Sequence, residues 1–161
     1  MNIRKATISD ATAIAEIYSY HILSRESCML TEPMITIDIE NMLQNLQDRE
    51  LMVVAEIENQ ITGWAILKMY SPRLGYRYAC ESSIYMNPKF QGKGLGRKLM
   101  DWLLREAKQL DFHHIVAKII KKNSASIQFH EKFGYTTVGV QKEIGFLDNE
   151  WEDVLIMQKL L

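Results

Sequence analysis

The chain has 161 residues, of which 47% are hydrophobic and 24% charged, and its formal net charge is −1. Such a chain can build one domain with its own core, and its near-neutral charge excludes a global pull toward nucleic acid or an anionic membrane. No apolar run approaches the roughly 20 residues of a membrane helix, and Cys28 and Cys80 stand far apart, which excludes a disulfide framework and points to a reducing, cytoplasmic setting.

In chain order, Ile3 to Ala6 reads as a short strand, with no charged-then-apolar leader before it. Ser9-Asp10 caps a helix expected to run to about Ser24, with Ala11, Ile14, Ala15, Tyr18 and Ile22 on one face. Ser27 to Pro33 is a loop. A helix follows from about Thr36 to Asp48, with Ile39, Met42, Leu43 and Leu46 at helical spacing. Leu51–Ile57 and Ile61–Tyr70 form a hairpin around Glu58-Asn59-Gln60. After a loop at Ser71 to Tyr76, Tyr78–Met86 is a strand stopped by Asn87-Pro88. A helix from Leu95 to Leu110 buries Leu95, Leu99, Leu103 and Ala107. Ile115–Ile120 is a strand, and Ser124–Phe133 is a helix ended by Gly134. Tyr135–Val140 and Val154–Leu160 are the last strands. The order β-α-α-β-β-β-α-β-α-β-β, with no linker or repeat, predicts a single mixed α/β domain spanning 1–161.

Between the strand ending at Met86 and the helix starting at Leu95 lies Gln91-Gly92-Lys93-Gly94-Leu95-Gly96-Arg97-Lys98. Glycines let the backbone turn tightly and approach a ligand. The helix start adds unpaired N–H groups and a positive dipole end, and Lys93, Arg97 and Lys98 add charge, so the segment describes a diphosphate site. A phosphate-binding P-loop needs Gly-Lys followed by Ser or Thr, whereas Lys93 is followed by Gly94. A dinucleotide fingerprint needs Gly-x-Gly-x-x-Gly, and the spacing from Gly92 to Gly96 is one residue short. The bland alternative is a glycine-rich turn before a basic helix start.

The remaining Gln-x-x-Gly-x-Gly pattern resembles the acyl-CoA loop of the GNAT family of N-acetyltransferases. A second block, Asn123-Ser-Ala-Ser-Ile-Gln-Phe-His-Glu-Lys-Phe-Gly-Tyr135, is similar to that family's Asn-x-x-Ala/Ser…Tyr-x-x-x-Gly-Phe block. His130 stands where the wider family usually has tyrosine. With Glu81-Ser-Ser-Ile-Tyr85, Thr31-Glu-Pro33 and Trp151-Glu-Asp-Val154, it resembles the phosphinothricin and methionine sulfone N-acetyltransferase subfamily. The resemblance covers the whole chain. It implies a GNAT-type mixed central sheet flanked by helices, acetyl-CoA as co-substrate, no metal, a small-molecule amine as partner and a homodimer. It places Ile84, Tyr85, Met86, Gln91, Gly92, Lys93, Gly94, Leu95, Gly96, Arg97, Asn123 and Ser126 against the coenzyme.

The chemistry suits these residue types. An amine attacks a thioester only as the free base, so a group must take its proton, and a carboxylate in a partly dry cleft is suited to that work. The resemblance turns Glu81 toward the substrate; the alternative is a solvated or ion-paired carboxylate. His130 titrates near neutral pH and is the second catalytic candidate, relaying a proton or giving one to the leaving thiolate. Beside Phe129 and Phe133 it reads equally as a packed structural histidine. His21, His113 and His114 show no metal spacing and read as structural. Asn123 serves as a helix cap, a coenzyme contact, or both. Arg73 and Arg77, beside Tyr76, are candidates for gripping an α-carboxylate, or else solvated loop charges. Met29 replaces the aromatic that the subfamily often carries, which changes the expected side-chain preference. The expected reaction is acetyl transfer to the amine of an amino-acid-like compound by direct attack. The alternatives are acetylation of a protein N-terminus or lysine, and a non-catalytic acyl-CoA-binding module.

Overall fold

Alternation and apolar runs in the sequence become, in the computed structural model of residues 1–161, one seven-stranded sheet ordered β1-β2-β3-β4-β5-β7-β6. The strands are β1 (Asn2–Lys5), β2 (Leu51–Ile57), β3 (Gln60–Met69), β4 (Ala79–Met86), β5 (His114–Ile120), β6 (Thr136–Leu147) and β7 (Glu150–Leu160). The helices are α1 (Ala11–Leu23), α2 (Thr36–Gln44), α3 (Leu95–Gln109) and α4 (Ser124–Lys132). Every pairing is antiparallel except that of β4 with β5, which α3 joins by a crossover.

Two cores flank the sheet, because β2 and β3 are buried on both faces. On one face Leu99, Met100, Leu103 and Ala107 of α3 pack on Val53, Ala55, Leu67, Cys80 and Ile115. On the other, Ile14 and Ile17 of α1 and Ile39 of α2 pack on Met52, Val54, Trp64 and Ile66. A fully buried side chain of this size stabilises the fold by about 1.5–3 kcal/mol. Both layers therefore hold β4 firmly in the middle of the sheet, and β4 carries Glu81.

The feature that shapes the site is the brevity of the parallel pairing. It runs only through Ala79↔His114, Cys80↔Ile115 and Glu81↔Val116. Beyond Glu81, β4 continues to Met86 on its ladder with β3 alone. Backbone groups that β4 and β5 turn toward each other there have no ladder partner, and a gap opens between the strands.

The first helix starts after Asp10, as expected, and is preceded by a short 3-10 turn over Ile8–Asp10, where Thr7 N–H donates to the Asp10 carboxylate at 2.8 Å; that carboxylate also takes Arg4 in a two-pronged grip at 2.7 and 2.8 Å. Three expected boundaries are corrected. α2 ends at Gln44, not Asp48, because Asn45 folds its amide back onto Asn41 O and Glu50 Oε2 takes the Gln47 N–H. β6 reaches Leu147 and β7 starts at Glu150, so the last two strands form a long hairpin rather than two short strands. Asp148 and Asn149 both have positive φ, 49° and 66°, the conformation that a tight two-residue hairpin requires.

Candidate active site

The gap between β4 and β5 is a cleft of about 250 Å³ lined by Ile84, Tyr85, Met86, Gln91, Gly96, Asn123, Ser126 and His130, among others. Its mouth is the glycine loop. Gly92 and Gly94 have φ of +74° and +73°, and Gly94 is the residue from which α3 starts. Left-handed backbone at both positions turns the first N–H groups of α3 outward, where no intrahelical acceptor exists for them. Gly92, Lys93, Gly94 and Arg97 are exposed beside that opening, and Leu95 is buried and contributes backbone only. Gly96 packs beside Met86, where a Cβ would meet Met86 Cγ at an ordinary contact distance of 3.4 Å. Backbone donors, a helix start and two basic side chains fit a diphosphate.

A larger basin of about 990 Å³ adjoins this cleft on the face of the sheet that carries Glu81, and the two share Ser27, Ser83, Tyr85 and Lys118. The register explains its floor. Residues of one parity along β5, His114, Val116, Lys118 and Ile120, share a face with Ala79, Glu81, Ser83 and Tyr85 of β4 and with Val154, Ile156 and Gln158 of β7. Tyr85 is fixed by stacking on Trp64, centroids 4.9 Å apart, and by Tyr18 at 4.8 Å. The roof is the loop after α1. Arg25 binds Asp148 of the β6–β7 turn at 3.1 Å, and Gly145 leaves room for Met29, whose Sδ would lie 2.6 Å from a Cβ there.

Glu81 is 31% exposed and pairs with Lys118, its Oε2 2.7 Å from Lys118 Nζ. The ion-paired alternative for this carboxylate is what the structure shows, at the junction of cleft and basin. His130 is 4% exposed. Its Nδ1 lies 2.8 Å from Ser126 O, and a carbonyl only accepts, so Nδ1 carries the hydrogen. Burial lowers its pKa, so the ring is neutral at neutral pH with Nε2 as an acceptor. That tautomer fits a proton relay or acceptor and disfavours the expected role of proton donor to a thiolate. His21 is likewise lowered by burial; it donates through Nε2 to Met86 O at 2.9 Å and ties α1 to the end of β4. Cys80 is fully buried and its thiol is pushed up to about 12 by that burial, and burial raises Cys28 as well. Neither is a ready nucleophile.

The lowered histidines give a pH signature. Above about pH 6.5 both folded and unfolded chains hold these rings neutral. As pH falls below that value the unfolded chain takes up protons that the folded one refuses, so stability is lost until the folded values are reached. The melting temperature should fall between pH 6.5 and 5, and fall less in His130→Asn. A variant with the wild-type slope would show that His130 is not held neutral by burial.

The structure brings together Glu81, Met29 and Tyr76 in the basin, and Ile84, Met86, Gln91, Gly96, Asn123, Ser126 and His130 in the cleft, with Tyr85 in both. Glu81 and His130 therefore stand in adjoining spaces rather than in one. Asn123 is a cap, its Oδ1 accepting from Ser126 N at 3.0 Å, and its Nδ2 donates to Glu26 O at 2.9 Å. The expectation for Arg73 and Arg77 is corrected, since neither lines the basin. Arg77 folds back onto Leu74 O at 3.1 Å and over the Tyr78 ring at 4.6 Å. Sequence reasoning missed Lys118 and left His114 as structural, although His114 lies on the basin floor with Nε2 3.0 Å from Gln158 Oε1. The available signal was Lys118 itself, one charge inside the apolar run Ile115–Ile120.

Comparison with known proteins agrees with this fold. Residues 14–135 match the family described as the Acetyltransferase (GNAT) family. An L-methionine sulfoximine/L-methionine sulfone acetyltransferase of Salmonella typhimurium is 35% identical over 98% of this chain and 93% of its own. A crystal structure of ribosomal-protein-alanine N-acetyltransferase from Brucella melitensis superposes with a TM-score of 0.96 at 31% identity, covering 100% of both chains. A phosphinothricin acetyltransferase from Sinorhizobium meliloti, solved in complex with acetyl-CoA, gives a TM-score of 0.93 at 28% identity, covering 99% of this chain and 88% of the other.

Proposed function

Because the chain belongs to the acetyltransferase (GNAT) family, we propose that it transfers the acetyl group of acetyl-CoA to the amine of a small amino-acid-like compound of the methionine sulfone or phosphinothricin type. The observation that carries this reading is the position of Glu81. It stands at the last β4–β5 pair, on the basin wall where the basin meets the glycine-gated cleft. The relatives' substrates support the acceptor class.

In this reading the loop from Gln91 to Arg97 holds the diphosphate, and the unpaired edge of β4 from Ile84 to Met86 aligns the coenzyme arm as an added strand would. Asn123 and Ser126, at the start of α4, border that arm. The acceptor lies in the basin between Met29, Tyr76 and Glu81. Its ammonium gives a proton to Glu81, directly or through water. The free amine then attacks the thioester carbon; a C–N bond forms, the C–S bond breaks, and its electron pair leaves on sulfur. Backbone N–H groups polarise the thioester oxygen. Neutral His130 accepts or relays a proton, and the thiolate is protonated from solvent. The raised thiols, Cys80 fully buried and Cys28 half-buried, support direct attack in a ternary complex over an acyl-cysteine route, with positioning supplying a major share of the rate.

A homodimer and a cytoplasmic location complete the proposal. Trp151 and Leu160 of β7, both more than half exposed and outside the basin, are apolar surface that a second copy would cover.

A thiol-release assay with acetyl-CoA and a panel of acceptors tests the proposal. Free amino acids of the sulfone and phosphinothricin type should give the fastest release. The Brucella similarity favours one second reading, and a peptide beginning with alanine that outpaces every free amino acid would establish it. No release with any acceptor, while acetyl-CoA still binds, would leave only a binding module.

A further inference from the structure

The basin wall carries one lysine or arginine, Lys118, and one carboxylate, Glu81. They pair with each other at 2.7 Å, with side chains 48% and 31% exposed. Lys118 also borders the coenzyme cleft, so the pair stands at the junction of the two spaces. The register accounts for this, since Glu81 is opposite Val116 and Lys118 is the next residue of that face along β5. An ion pair this exposed contributes little to stability, so opening it costs little.

A free α-amino acid presents the same two charges with opposite sense, an ammonium and a carboxylate on one carbon. We infer that Lys118 receives the α-carboxylate of the acceptor: the internal pair opens, the ammonium goes to Glu81, and the carboxylate goes to Lys118. The inference rests on the proposed acetyl transfer and names the acceptor class. Both formal charges of the wall are then used on the backbone groups of the acceptor. The rest of the wall is mostly apolar, including Ile144, Phe146, Val154 and Ile156, with Ser83, Gln141 and Gln158 as polar groups beside them. Lys118 thus takes the role that Arg73 and Arg77, which do not line the basin, do not fill.

The test compares kcat/KM for L-methionine sulfone and for its α-carboxamide, in the wild type and in Lys118→Met, Lys118→Arg and Lys121→Met. Any effect of the first substitution on Glu81 is common to both acceptors and cancels in the ratio. A charged hydrogen-bonded contact corresponds to about a ten- to hundredfold preference for the free acid, carried mainly by KM. Lys118→Met should erase that preference, Lys118→Arg should retain most of it, and Lys121→Met should leave it unchanged; melting temperatures confirm that each variant folds. A preference that survives Lys118→Met overturns the inference. So does a wild type that uses the amide as well as the acid, or a preference lost in Arg73→Ala, Arg77→Ala but kept in Lys118→Met. Absence of turnover of either compound by a wild type that still binds acetyl-CoA overturns the acetyl-transfer reading itself, which separates the two failures.

Discussion

Glu81→Gln should lower kcat by about 10²–10⁴-fold, with acetyl-CoA affinity nearly intact. Gln keeps the shape of the side chain and removes the proton acceptor. Glu81 lines the basin but not the coenzyme cleft, so the binding of acetyl-CoA has no reason to change. The substitution also frees Lys118 for the acceptor's carboxylate while removing the partner of its ammonium, two opposed effects on KM, so kcat is the decisive readout. The loss should shrink at high pH, where more of the acceptor amine is already neutral. Steady-state kinetics over a pH series decide the matter, and full activity of the variant at neutral pH would remove Glu81 from the chemistry.

Gly94→Val should abolish the thermal stabilisation that acetyl-CoA and CoA give to the wild type. A ligand that binds only the folded state raises the melting temperature, and adenosine, which lacks the diphosphate, should do little. At Gly94 φ is +73°, a conformation that costs a residue with a Cβ about 1–2 kcal/mol and a β-branched one more. No protein atom lies within 4 Å of a Cβ at this position, so the fold has room for the side chain. What it would meet is the proposed diphosphate, and relaxing the backbone would turn the first N–H groups of α3 away from it. The melting temperature without ligand separates a folding defect from a binding defect. A ligand-induced shift of wild-type size in the variant would overturn the assignment of the loop.

The sequence was most readable where local chemistry acts alone. The glycines at 92 and 94 announced left-handed backbone and a helix start, and the buried row Leu99, Leu103 and Ala107 of α3 followed from spacing. Element order was legible for the same reason, since each strand and helix carries its own periodicity. What failed depended on partners distant in sequence. Whether Arg77 reaches a cavity depends on the turn at Leu74–Tyr76 and on the Tyr78 ring. Lys118 meets Glu81 only because β5 pairs beside β4 in one register, and a shift of one residue would turn it to the other face. The hairpin tip at Asp148-Asn149 was readable from its residue types, yet Gly139 and Gly145 and the register breaks around them obscured strand periodicity in β6. Glu81 was readable as a candidate from its strand and from the family resemblance, with an ion pair as the alternative, but its partner Lys118 was not readable.

The identity of the product decides whether acetyl transfer to a free amine takes place in the basin. The wild type is incubated with acetyl-CoA and L-methionine sulfone, and the mixture is analysed by mass spectrometry alongside a measurement of released CoA. One N-acetylated sulfone per CoA released, with no acetylated protein, is the expected result. CoA release without N-acetylated amino acid, or acetyl groups found on the protein, would contradict it.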